Sequence, residues 1–320
     1  MDRAHKELRD ALNTDKKLVG ANLAGLDLVG FDLGSADLRG ANLVKAELAG
    51  ANLRGANLAK ADLRGANLQE ADLGEAILGF ALLGTADLRG ANLAQAVLFE
   101  ASLTDANLDD ADLKETDLRE ANLTRAGLRH ADLQKANLKN AELREADLRG
   151  ANLSGAILDF ADLRATDLSE AILDGAILGG AVLAASDLWK VRLREANLRG
   201  VDLTKANLSE ADLRGANLSM ADLSAANLAG AGLSGSVLSA ADLNETNLTG
   251  ANMRNADLRE VNLSGAVLIR VDLSGANLAG AIVSHNQLRQ AASLEGAKLP
   301  SKLVFLSKIV RSWWSEKKSS

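Results

Sequence analysis

The sequence predicts an all-β chain wound as a four-sided β-helix. Three observations predict it: a strict five-residue period, a leucine at one fixed place in almost every period, and a shortage of aromatic residues. From Ala21 to Val283 the chain divides into fives without an insertion, beginning ANLAG LDLVG FDLGS ADLRG ANLVK. With the leucine position called i, 53 consecutive pentads carry Leu at i in 51 cases, the exceptions being Met253 and Val283. Ala occupies i−2 in 42 of them and Asp or Asn occupies i−1 in 37, so three of the five positions are specified.

The period excludes a helix. Each α-helical residue turns by about 100°, so a step of five would smear the leucines around every side and leave no apolar face. Positions i−2 and i are two apart, the spacing at which side chains share one face of an extended strand. The other residues must then turn a corner. About four such sides bring the chain back above its start, and thirteen to fourteen coils at the inter-strand spacing of about 4.8 Å give a rod about 65 Å long.

The interior follows from that geometry. Leucines fill the middle of the square, and the place beside each has room for little more than a methyl group. The non-alanine residues at i−2 agree: Thr116, Thr166, Thr246, Ser186, Ser236, Val191, Val201, Val261 and Val271 are small or β-branched, and only Leu26 and Phe31, in the first coil, are larger. Composition fits the same uniform core, with no Tyr, no Cys, one Pro and 2% aromatic residues in 320. A globular core of ordinary type would use aromatics for shape and buried area.

Tandem pentads of the form A(D/N)LxG resemble the bacterial pentapeptide-repeat family, and they cover most of the chain. The resemblance implies a right-handed quadrilateral β-helix (β-solenoid) with i−2 and i inside and i−1, i+1 and i+2 outside. Hexapeptide and glycine-rich nonapeptide β-helices have the wrong period.

Solenoid ends expose unpaired backbone and need covering, so short α-helical caps are expected at both ends. At the front, Asp2 can cap a helix whose stripe is Ala4, Leu8 and Leu12, which gives a capping helix over 1–17 and a solenoid over 18–299. Near the other end, Ser284 and Gln287 have the spacing of a capping box, which predicts a helical turn over Asn286–Ala291 inside a break at about 284–291. Ala292-Ser293-Leu294 and Ala297-Lys298-Leu299 then resume the pentad one residue out of phase. After Pro300, the segment 300–320 reads as an amphipathic basic helix with Leu303, Leu306, Ile309, Val310, Trp313 and Trp314 as its contact stripe. Three uses fit that helix: a lid on the last coil, an end-to-end homodimer contact such as the resemblance implies, or a membrane-surface contact.

Catalytic constellations are missing from the sequence. The three histidines, His5, His130 and His285, fall far apart along the rod, and no cysteine is present to act as nucleophile or thiolate ligand. The expectation is therefore no enzyme, no cofactor and no metal. No secretory leader and no run of about 18 apolar residues is present, which reads as a cytoplasmic chain. Net charge is +1 over 1–17 and +4 over 300–320, hence −12 over 18–299 within a total of −7. A body of that sign carries no basic nucleic-acid footprint, so direct nucleic-acid binding is not expected.

What remains is a surface. Asp and Asn at i−1 recur too often to be catalytic; they are expected to solvate the wall and to bond neighbouring backbone, while arginines at i+1 sit beside them in weak ion pairs. Apolar residues at outward positions stand out against this pattern. One side carries Ile77, Phe80, Val97, Phe99, Ile157, Phe160, Ile177, Met220 and Val237, and adjacent sides are expected to add Leu82, Ile172, Val182 and Trp189. Such a stripe points to a protein partner and to a scaffold or regulator. The alternative that the resemblance implies is DNA mimicry toward a type II topoisomerase, DNA gyrase, by an acidic rod. The i+1 arginines, the lack of central Phe inside the coil and the absence of interrupting loops count against it.

Overall fold

The protein is described by a computed structural model over residues 16–304. Its backbone climbs in coils of twenty residues. Parallel bridges join each i−1 residue to its equivalent one coil on, from Lys17 with Asp37 to Asn262 with Ile282. The ladder therefore starts at Lys17, within the stretch assigned to an N-terminal helix; the rest of that helix, and the contact residues Leu306, Ile309, Val310, Trp313 and Trp314, lie outside the described residues.

One pentad explains the repeat. The Ala136 N–H donates to the Leu133 carbonyl (3.0 Å), closing the corner, while the Asn137 N–H donates down to Thr116 (2.9 Å). The Leu138 and Asn140 N–H groups donate up to Ile157 (2.7 Å) and Asp159 (3.0 Å). The fifth, on Lys139, donates to the Asn137 Oδ1 at 3.2 Å. All five donors are satisfied, four by backbone and one by the Asx side chain, as packed chains require of their main-chain groups. The corner turns through a left-handed residue at i+2, for example Asn140 with φ of 59°, so the position favours Gly and Asn without being confined to them.

Inside, the leucines from Leu28 through Leu278 and the alanines beside them are buried in one continuous column. Phe31, in the first coil, is the largest fully buried side chain among the described residues. The polar i−2 residues are reconciled with that column by hydrogen bonds to leucine carbonyls. The Thr116 hydroxyl donates to Leu113 at 2.7 Å, the Ser186 and Ser236 hydroxyls to Leu183 and Leu233, and those of Thr166 and Thr246 to Leu143 and Leu223 one coil below.

The coil breaks once. Helix α1 (His285–Leu288) starts at N-cap Ser284, and the capping box closes both ways, Gln287 N–H to Ser284 and Ser284 N–H to Gln287. This helix begins one residue earlier and ends three residues sooner than the predicted turn. One turn suffices, because Leu288 and Ala291 must both return to the core and the Ala292 N–H rejoins the ladder at Val271. The Gln287 amide bonds the carbonyl of Ala266, which the missing side would have paired, and adds a second donor to that of Leu263. Thereafter bridges run from Asp272 to Ser293 and Asn277 to Lys298, a step of twenty-one, so the phase slip occurs as the pentads predict. Helix α2 (Ser301–Val304) follows, with Leu303 packed against the end of the core.

Truncating Leu138 to Ala should lower unfolding stability by about 2–5 kcal/mol, since a rigid four-sided coil cannot collapse around the void. Asn137→Ala, which removes only the Asx bond, should cost about 0.5–1.5 kcal/mol. Urea unfolding midpoints of the two variants order them, and an Asn137→Ala cost equal to that of Leu138→Ala would contradict this division of labour.

Candidate functional site

The outer surface is built from three positions, and each has a structural task that a functional residue must displace. At i−1 the Asx oxygen accepts the i+1 N–H in pentad after pentad, as at Asp27, Asn57, Asp72, Asn122 and Asp202. Asn amides also bond the equivalent residue of the coil below, giving a ladder from Asp187 through Asn207 and Asn227 to Asn247 at 2.9–3.1 Å. An Ile, Leu or Val at i−1 has no acceptor and gives up this bond. Apolar residues there are thus not neutral decoration, because each forgoes an interaction worth about 0.5–1.5 kcal/mol.

The ladder sorts those residues onto walls. Ile77 pairs with Val97 and Ile157 with Ile177, and all four belong to one stack, which also contains Val237. Phe80, Phe99, Phe160 and Met220 occupy the corner that follows the same stack. Leu82 and Val182 stand on the next wall and Ile172 on the preceding one, both adjacent as expected. Trp189 does not join them. It follows the Asp187 stack, ten residues and two sides from Ile177, and so lies across the rod with Lys190 Nζ 4.2 Å from its ring. The expectation treated it as a neighbour, whereas two of four sides is the far wall.

The stripe divides into two clusters. In the first, Phe80 meets Phe99 edge to face with centroids 5.7 Å apart, and Lys60 and the Arg119 guanidinium stand 5.9 and 5.6 Å from the two rings. Contacts of this kind favour an aromatic at an exposed site. Val97 and Phe99 are half-buried, yet Ile77 and Phe80 keep 43% and 45% of their surface in solvent. In the second cluster, Phe160 remains 64% exposed and Met220 58% exposed. Phe160 lies over Gly180, where an added Cβ would meet the ring at 2.8 Å, so the glycine makes the ring's position possible. Sequence reading picked out the phenylalanine and missed the glycine, whose signal, a Gly twenty residues after an outward Phe, is visible once the coil length is known.

Arginine charge is largely paired on all four walls, that of the stripe included. Arginine at i+1 reaches back two residues to Asp at i−1 in a bidentate grip, as at Arg39, Arg64, Arg89, Arg119, Arg164, Arg214 and Arg259. Two arginines share one carboxylate at Asp147 and at Asp212. Burial pushes the Asp147 carboxyl up, but hydrogen bonds from Arg149 and Arg129 outweigh it and bring it down to about 2. Hydrogen bonding from Arg214, with Arg194 added, holds Asp212 far below the usual carboxylate range against burial. Among the described residues no group of His, Cys, Asp or Glu is arranged to hold a metal ion, and no helix is long and apolar enough to cross a membrane.

Against this geometry the comparisons are unambiguous about kind. The chain belongs to the pentapeptide-repeat family, whose description as "Pentapeptide repeats" matches overlapping segments from 17–55 through 256–300. Members of that family fold as right-handed β-helices. Among solved structures the chain is similar to HetL, a pentapeptide repeat protein involved in heterocyst differentiation regulation from Nostoc sp. strain PCC 7120. That likeness is 38% identity over 65% of this chain and 86% of that one, with a TM-score of 0.40. Full-length QnrB1, a plasmid-mediated fluoroquinolone resistance protein, matches at 17% identity over 68% of this chain and 89% of that one, with a TM-score of 0.26. Rfr23 from Cyanothece 51142 matches at 33% identity over 35% and 63%, with a TM-score of 0.15. No curated protein matches the chain.

A carboxylate whose folded pKa lies below its unfolded value stabilises the fold above the unfolded value, about 3.9, and loses that contribution as pH falls through the folded one. Wild-type protein should therefore lose stability between pH 4 and pH 2 more steeply than Asp147→Asn, which keeps the Asx acceptor and cannot titrate. Chemical unfolding across that range reads the difference; parallel slopes would show that the two arginines contribute nothing at Asp147.

Proposed function

We propose that this chain is a non-enzymatic scaffold or regulator that presents one wall of a rigid rod to a protein partner. The observation that carries the reading is the apolar stripe on the Ile77–Val97 and Ile157–Ile177 stack. Its i−1 residues forgo the Asx bond that most other pentads make, and Phe80, Phe160 and Met220 stay exposed. Rigid repeat surfaces with an apolar stripe bordered by charge are suited to docking, since little order is lost on binding. Membership of a family of structural and interaction proteins supports the non-enzymatic part. Cytoplasmic residence, and the use of the C-terminal helix as lid or homodimer contact, belong to the same proposal.

Phe160→Ser should leave the unfolding free energy within about 0.5 kcal/mol of wild type, as exposed substitutions do, and Phe80→Ser should cost no more than about 1.5 kcal/mol, the edge-to-face contact with Phe99 being lost. Both should lower capture of partners from the native host at least fivefold. Undiminished capture by the double variant would dismiss the wall.

The alternative use, suggested by the fluoroquinolone-resistance protein among the similar structures, is an acidic rod that imitates duplex DNA. The −12 body speaks for it. The bidentate arginines speak against it, since they neutralise carboxylates along several walls and break the field into dipoles. A gyrase supercoiling assay with a quinolone should accordingly show no protection by this protein; protection would reverse the order of the two readings.

A further inference from the structure

One arginine departs from the pairing rule. Fourteen arginines stand at i+1 within the pentads, and among the described residues thirteen have a carboxylate within 4.0 Å: the seven bidentate pairs above, Arg149 with Asp147, Arg129, Arg144, Arg194 and Arg254 with aspartates of the next coil, and Arg54 with Glu75. The fourteenth is Arg199. Its i−1 residue is Asn197, not Asp, and Asn197 Oδ1 accepts only the Arg199 backbone N–H at 3.3 Å. The guanidinium turns instead to the Met220 sulfur, with Nη2 3.5 Å from Sδ.

Arg199 stands in a groove. Phe160 and Met220 flank it three coils apart, about 14 Å at the usual strand spacing. Between them Gly179, Gly180 and Gly200 place no side chain on the corner, so the floor is backbone and the space holds about 530 Å³. Asp159 borders the Phe160 end. The site combines two exposed apolar walls, a bare floor and a cation with no carboxylate within 4.0 Å among the described residues, on a body where carboxylates are in excess.

We propose that this groove binds an acidic-apolar peptide segment. One aliphatic side chain lodges between Phe160 and Met220 while a neighbouring Asp or Glu carboxylate takes the place beside Arg199 that an i−1 Asp fills elsewhere. Charge decides the class of occupant. A guanidinium without a carboxylate, beside an apolar slot, gains a charge-assisted bond from an anion and nothing from a neutral or basic group. The inference rests on the docking wall proposed above and names what its second cluster recognises.

Methionine gives the readout. The chain has three methionines, Met1, Met220 and the fully buried Met253, so a spectrum of 13C-methyl-methionine protein has a reporter in the groove and a control in the core. The probes are acetyl-Leu-Glu-Leu-amide and its Gln and Lys counterparts, added to the full chain at millimolar concentration. The Glu peptide should move the Met220 methyl signal and leave Met253 in place. Its apparent affinity should exceed that of the Gln peptide at least threefold, and Arg199→Gln should erase the difference. Equal effects of Glu and Gln would reduce the groove to a greasy patch, a stronger Lys peptide would give the site to Asp159, and no shift with any probe would retire it. Partner capture that is lost in Phe80→Ser while Met220 never responds would leave the wall standing without this groove.

Discussion

Everything in this molecule depends on a backbone that has no slack. Each pentad has five N–H donors, and four are consumed by the corner and the two neighbouring coils, leaving the one at i+1 to the side chain at i−1. That arithmetic ties the interior to the surface. The coil can close only if a small residue sits at i−2 and a Leu at i, and it is fully satisfied only if an Asx oxygen stands outside at i−1. A consensus that looks like simple repetition is thus the solution of a hydrogen-bond problem repeated fifty-odd times.

The same constraint makes departures legible. Where i−1 is Gly127 or Arg192, an Asp one coil below takes over: the Arg129 N–H donates to Asp109 Oδ1 and the Arg194 N–H to Asp174 Oδ1. Among the described residues no such rescue bond is found for the Gly79 and Gly84 N–H groups, which follow Ile77 and Leu82. Repaired and unrepaired departures therefore differ in kind. The first preserve the wall, whereas at Ile77 and Leu82 the bond is given up and an apolar side chain is exposed. Selection for stability alone would restore Asp or Asn, which is why the stripe is the natural place to look for a partner.

Electrostatics follows the same scaffold. The i−1 and i+1 positions of a pentad project from the same short segment, so an Asp and an Arg placed there meet as a bidentate pair without any long-range folding. Exposed pairs of this sort contribute little stability individually. Their effect is to make the rod's surface a mosaic of dipoles, so that an acidic total charge does not become an acidic field, and a lone guanidinium such as Arg199 stands apart from its surroundings.

The sequence by itself determined the period, the inside and outside positions, the number of sides, the capping box at Ser284 and the one-residue slip after it, because each follows from local spacing repeated without interruption. It also placed the apolar stripe on one wall, since a constant twenty-residue coil turns position into direction. The expectation that put Trp189 beside the stripe conflicts with that same count, which sets the Asp187 stack ten residues and two sides from Ile177. Only the tertiary structure decided which side chains meet between coils: the Phe160 ring over Gly180, the hydroxyls of Thr166 and Thr246 on carbonyls one coil below, and Arg199 turned to Met220 with no carboxylate within 4.0 Å among the described residues. Those contacts join residues about twenty apart through rotamers chosen by packing, and a spacing rule specifies which residues are stacked but not which way their side chains lean.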